Sequence, residues 1–389
     1  MPLRLSQSYR SCLLAICGVV AIGSWQSWQI RHIDEQQPYE PLVRTAVNGP
    51  DGSVTCAECH QTACEHISAA PHGTTLSSGN EPWILERFAG KTFSLADIGP
   101  VVKFTERDRA LWIESDAAPE ALRVDWMFGS GRHALTPVSL LTNPSGETEL
   151  IEGSVSWYPP GVLGLTPGAR GAGAIGMGCL GSHQDHRTTQ ECFGCHVTRL
   201  PMDGGRIATE TMLRGVSCDR CHPGGEQHAQ AMRESRPDPM PRWSDLTPLE
   251  SVNRCGECHR RADQLTEAEL RPDRTVLVRF ASVGLTMSEC FLQQSDVLTT
   301  GQSARLDCLT CHDPHQSAEQ ATEFYTRKCV TCHGASASQA AECSSSNTGS
   351  DCLSCHMPKV NVADKLALTD HWIRVRKTTD PVTVNAKPQ

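Results

Sequence analysis

The pentapeptide Cys-x-x-Cys-His occurs seven times in this chain. The thiol pairs are Cys56 with Cys59, Cys192 with Cys195, Cys218 with Cys221, Cys255 with Cys258, Cys308 with Cys311, Cys329 with Cys332, and Cys352 with Cys355. The histidines that close the pentapeptides are His60, His196, His222, His259, His312, His333 and His356. At this spacing two thiols can add across the two vinyl groups of one porphyrin, and the following imidazole falls beneath the ring as the proximal iron ligand. Zinc ribbons also use Cys-x-x-Cys pairs, but they do not require a histidine after each one. The spacing therefore implies seven covalently attached haem c groups.

What such irons do depends on their sixth position. A second imidazole there closes the iron for electron transfer, whereas an open position admits substrate. Nine further histidines are available: His32, His66, His72, His133, His183, His186, His228, His315 and His371. With His32 set aside beside an apolar N-terminal stretch, eight candidates face seven irons. Closing every iron with histidine is arithmetically possible. Met287 and Met357 are alternative axial thioethers but read better as packing residues, as does Tyr325. Arg132, Arg206, Arg220, Arg260 and Arg374 lie beside motifs or candidate ligands, where guanidinium groups suit propionate carboxylates.

The elements that hold these residues are uneven along the chain. The first motif stands far ahead of the second, and the last six crowd into 192–356. Between them, Val101 to Thr105 and Ala110 to Glu114 are β-rich runs around a polar tetrapeptide, which predicts a hairpin. Asn143-Pro144-Ser145-Gly146 predicts a turn before another strand, Thr148 to Ser156, and Gly161 to Gly178 a glycine-rich loop. Arg261 to Leu270 is the clearest helical segment, and each motif is expected to open or end a short helix. The expected fold is mainly α with much irregular structure, organised around covalent haems, with a small β-rich insertion. Its expected divisions are a signal peptide or membrane anchor (1–30), a single-haem segment (31–90), the β-rich insertion and glycine-rich loop (91–182), a six-haem domain (183–376) and a disordered tail (377–389).

Aromatic residues are only 5% of the chain, thin for conventional cores of this length, and flat porphyrins would supply the missing apolar surface. A formal net charge of −9 excludes the basic patch that a nucleic-acid binder needs. Haem is attached to thiols after export. Arg4 and Arg10 ahead of the uncharged run Ser11 to Ile30, which ends in Trp25 and Trp28, fit either a cleaved signal or a retained anchor. Both place the rest of the chain outside the cytoplasm, in the periplasm or on the outer side of the membrane. Cys12 and Cys17 fall in that run. Cys64, Cys179, Cys290 and Cys343 remain for two disulfides, with buried thiols as the alternative.

Several segments extend the motifs. Gly215-Val216-Ser217-Cys218-Asp219-Arg220-Cys221-His222-Pro223-Gly224-Gly225-Glu226-Gln227-His228 carries a glycine turn and a second histidine, Cys311-His312-Asp313-Pro314-His315 a close histidine pair, and Thr369-Asp370-His371-Trp372-Ile373-Arg374 follows Cys355-His356-Met357-Pro358-Lys359. Ser68 to His72 and Gly129-Ser130-Gly131-Arg132-His133 are similar ligand-bearing segments. Over roughly residues 53–90 and 125–375 the chain resembles the exported multihaem c-type cytochromes with paired motifs, whose best-known type is the tetrahaem electron acceptor of hydroxylamine oxidoreductase. The resemblance implies distal ligands at His72, His133, His228, His315 and His371, with His183 or His186 a sixth and His66 a further candidate. It does not pair them with irons, and seven motifs depart from the tetrahaem type.

The implied function is electron relay between respiratory partners, from a membrane quinol oxidase or periplasmic donor to a terminal reductase or other acceptor. An enzyme acting on a small nitrogen or sulfur compound at one open iron is the alternative, for instance at Cys56–His60 if His72 serves elsewhere. A structural haem subunit of a respiratory complex, docked through the β insertion, is a third. Alkaline pyridine haemochrome measured against protein mass should return seven haems per chain, and removing both Cys308 and Cys311 should return six.

Overall fold

The computed structural model describes residues 52–95, 99–169, 175–271, 274–294, 305–319, 321–333 and 351–376. The expected signal or anchor, Cys12, Cys17, His32, Cys343 and the tail lie outside these residues. Among the described residues no helix is long and apolar enough to cross a membrane.

Helix α1 (Gly52–Ala69) carries the first motif and breaks at His60, whose φ of −117° and ψ of 41° leave the helical region. The chain then enters β structure. Strand β1 (Leu76–Ser78) precedes α2 (Pro82–Phe88), which starts with proline at its first turn. Strands β2 (Thr92–Ser94), β3 (Val101–Arg107), β4 (Ala110–Glu114) and β5 (Leu122–Arg123) pair in that order as one antiparallel sheet. In β3 and β4 the buried residues alternate, Val102 and Phe104 facing Leu111 and Ile113, so one face of this sheet is apolar. The expected hairpin forms here. Its two turn residues, Asp108 and Arg109, both take positive φ (52° and 58°), the mirror-image turn that matches strand twist.

The second sheet runs β1, β6 (Trp126–Phe128), β7 (Thr136–Thr142), β8 (Thr148–Gly153) and β11 (Gly181–Gln184), all antiparallel. The expected turn joins β7 to β8, with Gly146 at φ 86° and its N–H donating to the Asn143 carbonyl. Strands β9 (Val155–Tyr158) and β10 (Val162–Leu165) form a ribbon. Ile84 and Phe88 of α2 join the inner residues of β3 and β4, Met127, Leu135, Trp157 and Leu180 in the largest apolar core. A second core packs Leu76, Phe128, Val138 and Leu150 on Phe193 and Val197. Each such side chain, fully buried, contributes about 1.5–3 kcal/mol.

Beyond these sheets the motifs sit on short helices, as expected. They are α3 (His186–His196), α4 (Cys218–Cys221), α6 (Pro248–His259), α9 (Cys308–Cys311), α10 (Thr322–His333) and α11 (Cys352–His356), while α5 (Gly225–Arg233), α7 (Ala281–Thr286) and α8 (Glu289–Leu292) lie between them. Apolar clusters here are small, three buried residues each: Val252, Leu285 and Phe291, then Ala262, Leu277 and Val283.

Two expectations need revision. Strand structure is not one small insertion. Among the described residues six sheets run from Leu76 to Thr369, including two-stranded ribbons at 197–214, 202–207 and 359–369 that are too short to show an alternating pattern. Arg261 to Leu270 is not a helix beyond a single 3-10 turn at Ala262–Gln264, because Arg260 takes φ 65° and the Glu269 carboxylate caps the Thr266 N–H. The helix is its neighbour, α6. There Thr247 and Glu250 cap each other's backbone N–H groups and Pro248 fills the first turn.

The sheets present ligand-bearing loops to the motifs. His72 leads into β1, Gly129 to His133 joins β6 to β7, and β11 runs into the second motif through α3. The Val216 N–H donates to the His72 carbonyl over 2.8 Å, tying the His72 loop to the approach of the third motif. Gly215 beside it has φ 72°, and a Cβ there would stand 2.0 Å from the Gly73 carbonyl oxygen. Gly215→Ala should lower stability by roughly 2–4 kcal/mol through that clash and strain. Thermal or denaturant unfolding measures it, with Gly178→Ala, where a Cβ meets nothing, as the neutral comparison.

Candidate functional site

All fourteen motif cysteines and all seven motif histidines line one cleft of about 3810 Å³. Ordinary ligand pockets are about 300–1,000 Å³, so a group of many atoms, repeated, is needed to fill it. The first motif, remote in sequence, belongs to the same wall. The Cys56 thiol meets Cys218, and Arg233 of α5 pairs with Glu58 at 2.5 Å. The Cys195 thiol likewise meets Cys258, and Cys255 meets Cys308, so attachment edges from different motifs adjoin. The Cys258 thiol is brought down to about 6, first by the hydrogen bond from Cys195 and then by the nearby Arg220 charge.

Arg220, in the third motif, fastens three motifs together. Its side chain is 6% exposed, and it donates to the Gly194 carbonyl of the second motif and the Glu257 carboxylate of the fourth, each at 3.3 Å. The Nε atoms of Arg220 and Arg254 are buried in the cleft wall without a protein hydrogen bond, which suits a propionate carboxylate. Sequence reasoning passed over Arg254. The other expected arginines are engaged with protein: Arg374 pairs with Asp370 and lies over Trp372, Arg132 donates to the Ala318 carbonyl, and Arg260 sits over Phe280. Arg206 stands in a two-stranded ribbon outside the cleft wall.

The imidazoles fall into pairs. His60 and His228 have ring centroids 6.2 Å apart, His222 and His315 6.2 Å, His72 and His259 6.3 Å, and His312 and His371 6.3 Å. Two metal–imidazole bonds of about 2.0 Å and two nitrogen-to-centroid offsets of about 1.1 Å come together to roughly 6.2 Å. The four spacings are those of imidazoles on opposite faces of one iron.

Hydrogen bonding prepares the non-motif member of each pair. The Nδ1–H of His72 donates to the Pro314 carbonyl at 3.2 Å, that of His228 to Asp238 at 2.8 Å, that of His315 to Asp313 at 2.9 Å, and that of His371 to the Thr369 carbonyl at 3.0 Å. An acceptor at Nδ1 fixes the proton there and leaves the Nε2 lone pair for a metal. Burial holds His371 and His259 neutral, His259 down to about 4 with further help from the charges of His72, His371 and His312.

The remaining candidates differ. His183 gives its Nε2 to Glu149 at 2.6 Å. His186 is occupied at both nitrogens, by the Thr148 carbonyl and the Gln190 amide. Both lie outside the cleft wall, as does exposed His66 on α1, so the structure does not bring these three to a motif. His133 lines the cleft, its imidazole lowered by burial and then by the charges of Arg132 and Lys359, but it is not in ring contact with a motif histidine. Among the described residues no second imidazole stands across from His196, His333 or His356. His196 instead donates from Nδ1 to the Thr75 carbonyl at 2.8 Å and stacks on Phe128 at 4.4 Å. His60, expected to be open if His72 served elsewhere, does lose His72 to His259 but faces His228.

Of the other cysteines, Cys179 is buried in the β core with its thiol donating to the Gly176 carbonyl, and Cys290 stands in the cleft wall near Cys311 and Cys332. These two form no disulfide with a described residue. Met287 packs in a small apolar cluster, and the Tyr325 hydroxyl donates to the Glu319 carbonyl.

The family described as cytochrome c554 and c-prime matches residues 175–223, a stretch that takes in the second and third motifs. The dissimilatory sulfite reductase MccA of Wolinella succinogenes is 21% identical over 388 residues, covering 79% of this chain and 50% of that protein. The chain thus spans about half the length of that relative. These matches and the repeated attachment motifs support a multihaem c-type cytochrome. The outer cell wall cytochrome OcwA has a solved structure similar to it at a TM-score of 0.45 and 14% identity, over 82% of this chain and 78% of that one. In a cytochrome of this class the motif cysteines hold haem c by thioether bonds, and the cleft, the paired imidazoles and the orphaned guanidinium nitrogens fit that group.

The ring planes of the four pairs meet at 8° (His222, His315), 27° (His60, His228), 44° (His312, His371) and 79° (His72, His259). Parallel planes split the d orbitals of a bound iron and crossed planes leave them nearly degenerate, so with haem bound the crossed pair would give the most anisotropic ferric low-spin signal. His72→Ala should abolish that signal in low-temperature paramagnetic resonance, and His371→Ala should turn a different low-spin iron high-spin. His183→Ala and His186→Ala should leave the spectrum unchanged.

Proposed function

We propose that this chain is an exported heptahaem c-type cytochrome that relays electrons between respiratory redox partners. Haem at these motifs supplies one-electron iron chemistry over a range of potentials set by its ligands. The observation that carries the reading is the set of four imidazole pairs at iron-spanning distance. They assign His228 to the first motif, His315 to the third, His72 to the fourth and His371 to the fifth. Closed on both faces, these four sites have no position for substrate.

The thiol contacts supply the route. Cys56 adjoins Cys218, Cys221 lies near Cys255, Cys255 adjoins Cys308, Cys311 lies near Cys329, and Cys329 near Cys352. This orders the motifs one, three, four, five, six, seven. Cys195 beside Cys258 attaches the second motif as a branch at the fourth. Neighbouring imidazole pairs also cluster: His222 feels His60 and His228, and His312 feels His72. The ends of such a route are where a donor and an acceptor protein would dock.

His196 favours a second reading, a reductase acting on a small sulfur or nitrogen oxyanion at the second motif. Its imidazole has no partner imidazole among the described residues, and the relative MccA is a sulfite reductase. Glu152, its carboxyl raised by burial, borders the same part of the cleft. Paramagnetic resonance of the oxidised protein separates the two readings. A spectrum that keeps its low-spin signals and is unchanged by sulfite is the relay's outcome. A high-spin component that sulfite perturbs is the reductase's, and Phe128→Ala should alter that component first.

A further inference from the structure

The four histidines paired with motif histidines are backed by two different chemistries. His228 and His315 donate from Nδ1 to carboxylates, Asp238 at 2.8 Å and Asp313 at 2.9 Å. His72 and His371 donate to neutral carbonyls, of Pro314 at 3.2 Å and Thr369 at 3.0 Å. The division follows position. The carboxylate-backed imidazoles face the first and third motifs, which adjoin through Cys56 and Cys218, and the carbonyl-backed ones face the fourth and fifth, which adjoin through Cys255 and Cys308.

A carboxylate that accepts from an imidazole draws its proton away and makes the other nitrogen a stronger electron donor, which favours ferric over ferrous iron. A carbonyl does this less, being neutral. Both aspartates also accept backbone N–H bonds, Asp238 from Met240 and Asp313 from His315, which hold them in place for the imidazole. Their side chains reach solvent, 25% exposed for Asp238 and 50% for Asp313, so water screens part of the effect but leaves the direct hydrogen bond.

We propose that Asp238 and Asp313 are positioning residues that set a potential step inside the relay, making the first and third motif sites its low-potential, electron-donating sites and the fourth and fifth, next along the route, sites of higher potential. The step rests on the bis-histidine pairing proposed above. One electron leaves the low-potential pair, which is oxidised, and enters the high-potential pair, which is reduced, with no proton or further reactant. A one-electron donor refills the first pair.

The test is a spectroelectrochemical titration of the holoprotein with parallel paramagnetic resonance, for the native chain, Asp238→Asn, Asp313→Asn and Asp313→Glu. Asparagine keeps the backbone caps but lacks the charge. Each asparagine variant should keep all its low-spin signals and move one of the lowest-potential transitions upward, leaving the higher ones in place, and Asp313→Glu should restore the native value. Low-spin signals retained with the lowest transitions unmoved, or with the higher ones moved instead, overturn the potential step while the pairing stands. Fewer than four bis-imidazole signals in the native chain overturn the pairing itself.

Discussion

Two imidazoles on opposite faces of one metal must stand a fixed distance apart, and four pairs in this fold stand 6.2–6.3 Å apart, as that would require. None of the four pairs is local in the helical sense. His72 reaches His259, and His60 reaches His228, across more than 150 residues of sequence. What brings them together is ordinary folding: a five-stranded sheet that holds the His72 loop at its first strand, a Gly215 backbone that lies flat against Gly73, and a carbonyl or carboxylate waiting at each Nδ1. The packed sheets carry the ligand loops, and the chemistry falls on loops held by that scaffold.

Packing is divided accordingly. The sheets and α2 keep a conventional interior of Phe, Leu, Ile and Val, with Phe88, Phe104, Leu111 and Leu150 fully covered. The motif-bearing half has only small clusters around Val252 and Val283 and a large shared cleft. Protein interiors are as dense as organic crystals, so a cleft of this kind is stable only when flat apolar groups occupy it. Porphyrin is then core as much as cofactor. The low aromatic content of the chain follows from this, since the rings that would fill the interior are supplied from outside the sequence.

The chemistry was far more legible in the sequence than the architecture. Seven pentapeptides declare their cofactor because three residue types at one spacing have almost no other use, and His72, His228, His315 and His371 were each marked by the segment around them. His183 and His186 looked equivalent on the page. Only the fold shows that their nitrogens are spent on Glu149, Thr148 and Gln190. Pairing was illegible for the same reason: it depends on tertiary contacts that no spacing encodes. The β structure was underestimated because strands such as Leu76–Ser78 and Gly181–Gln184 are short and polar enough to read as loops, and their partners lie far along the chain. The α6 helix was announced by Thr247, Pro248 and Glu250, a capping signal that the periodic run Arg261 to Leu270 beside it outweighed.

Arg220 ties together backbone and side chain from the second, third and fourth motifs, and every motif opens on the same cleft. Each porphyrin therefore forms part of its neighbours' walls. A chain with one attachment missing would lack more than one redox step: it would have a wet gap where two or three helices should close around the cleft. The shared cleft would thus tie the completeness of cofactor loading to the closure of the fold.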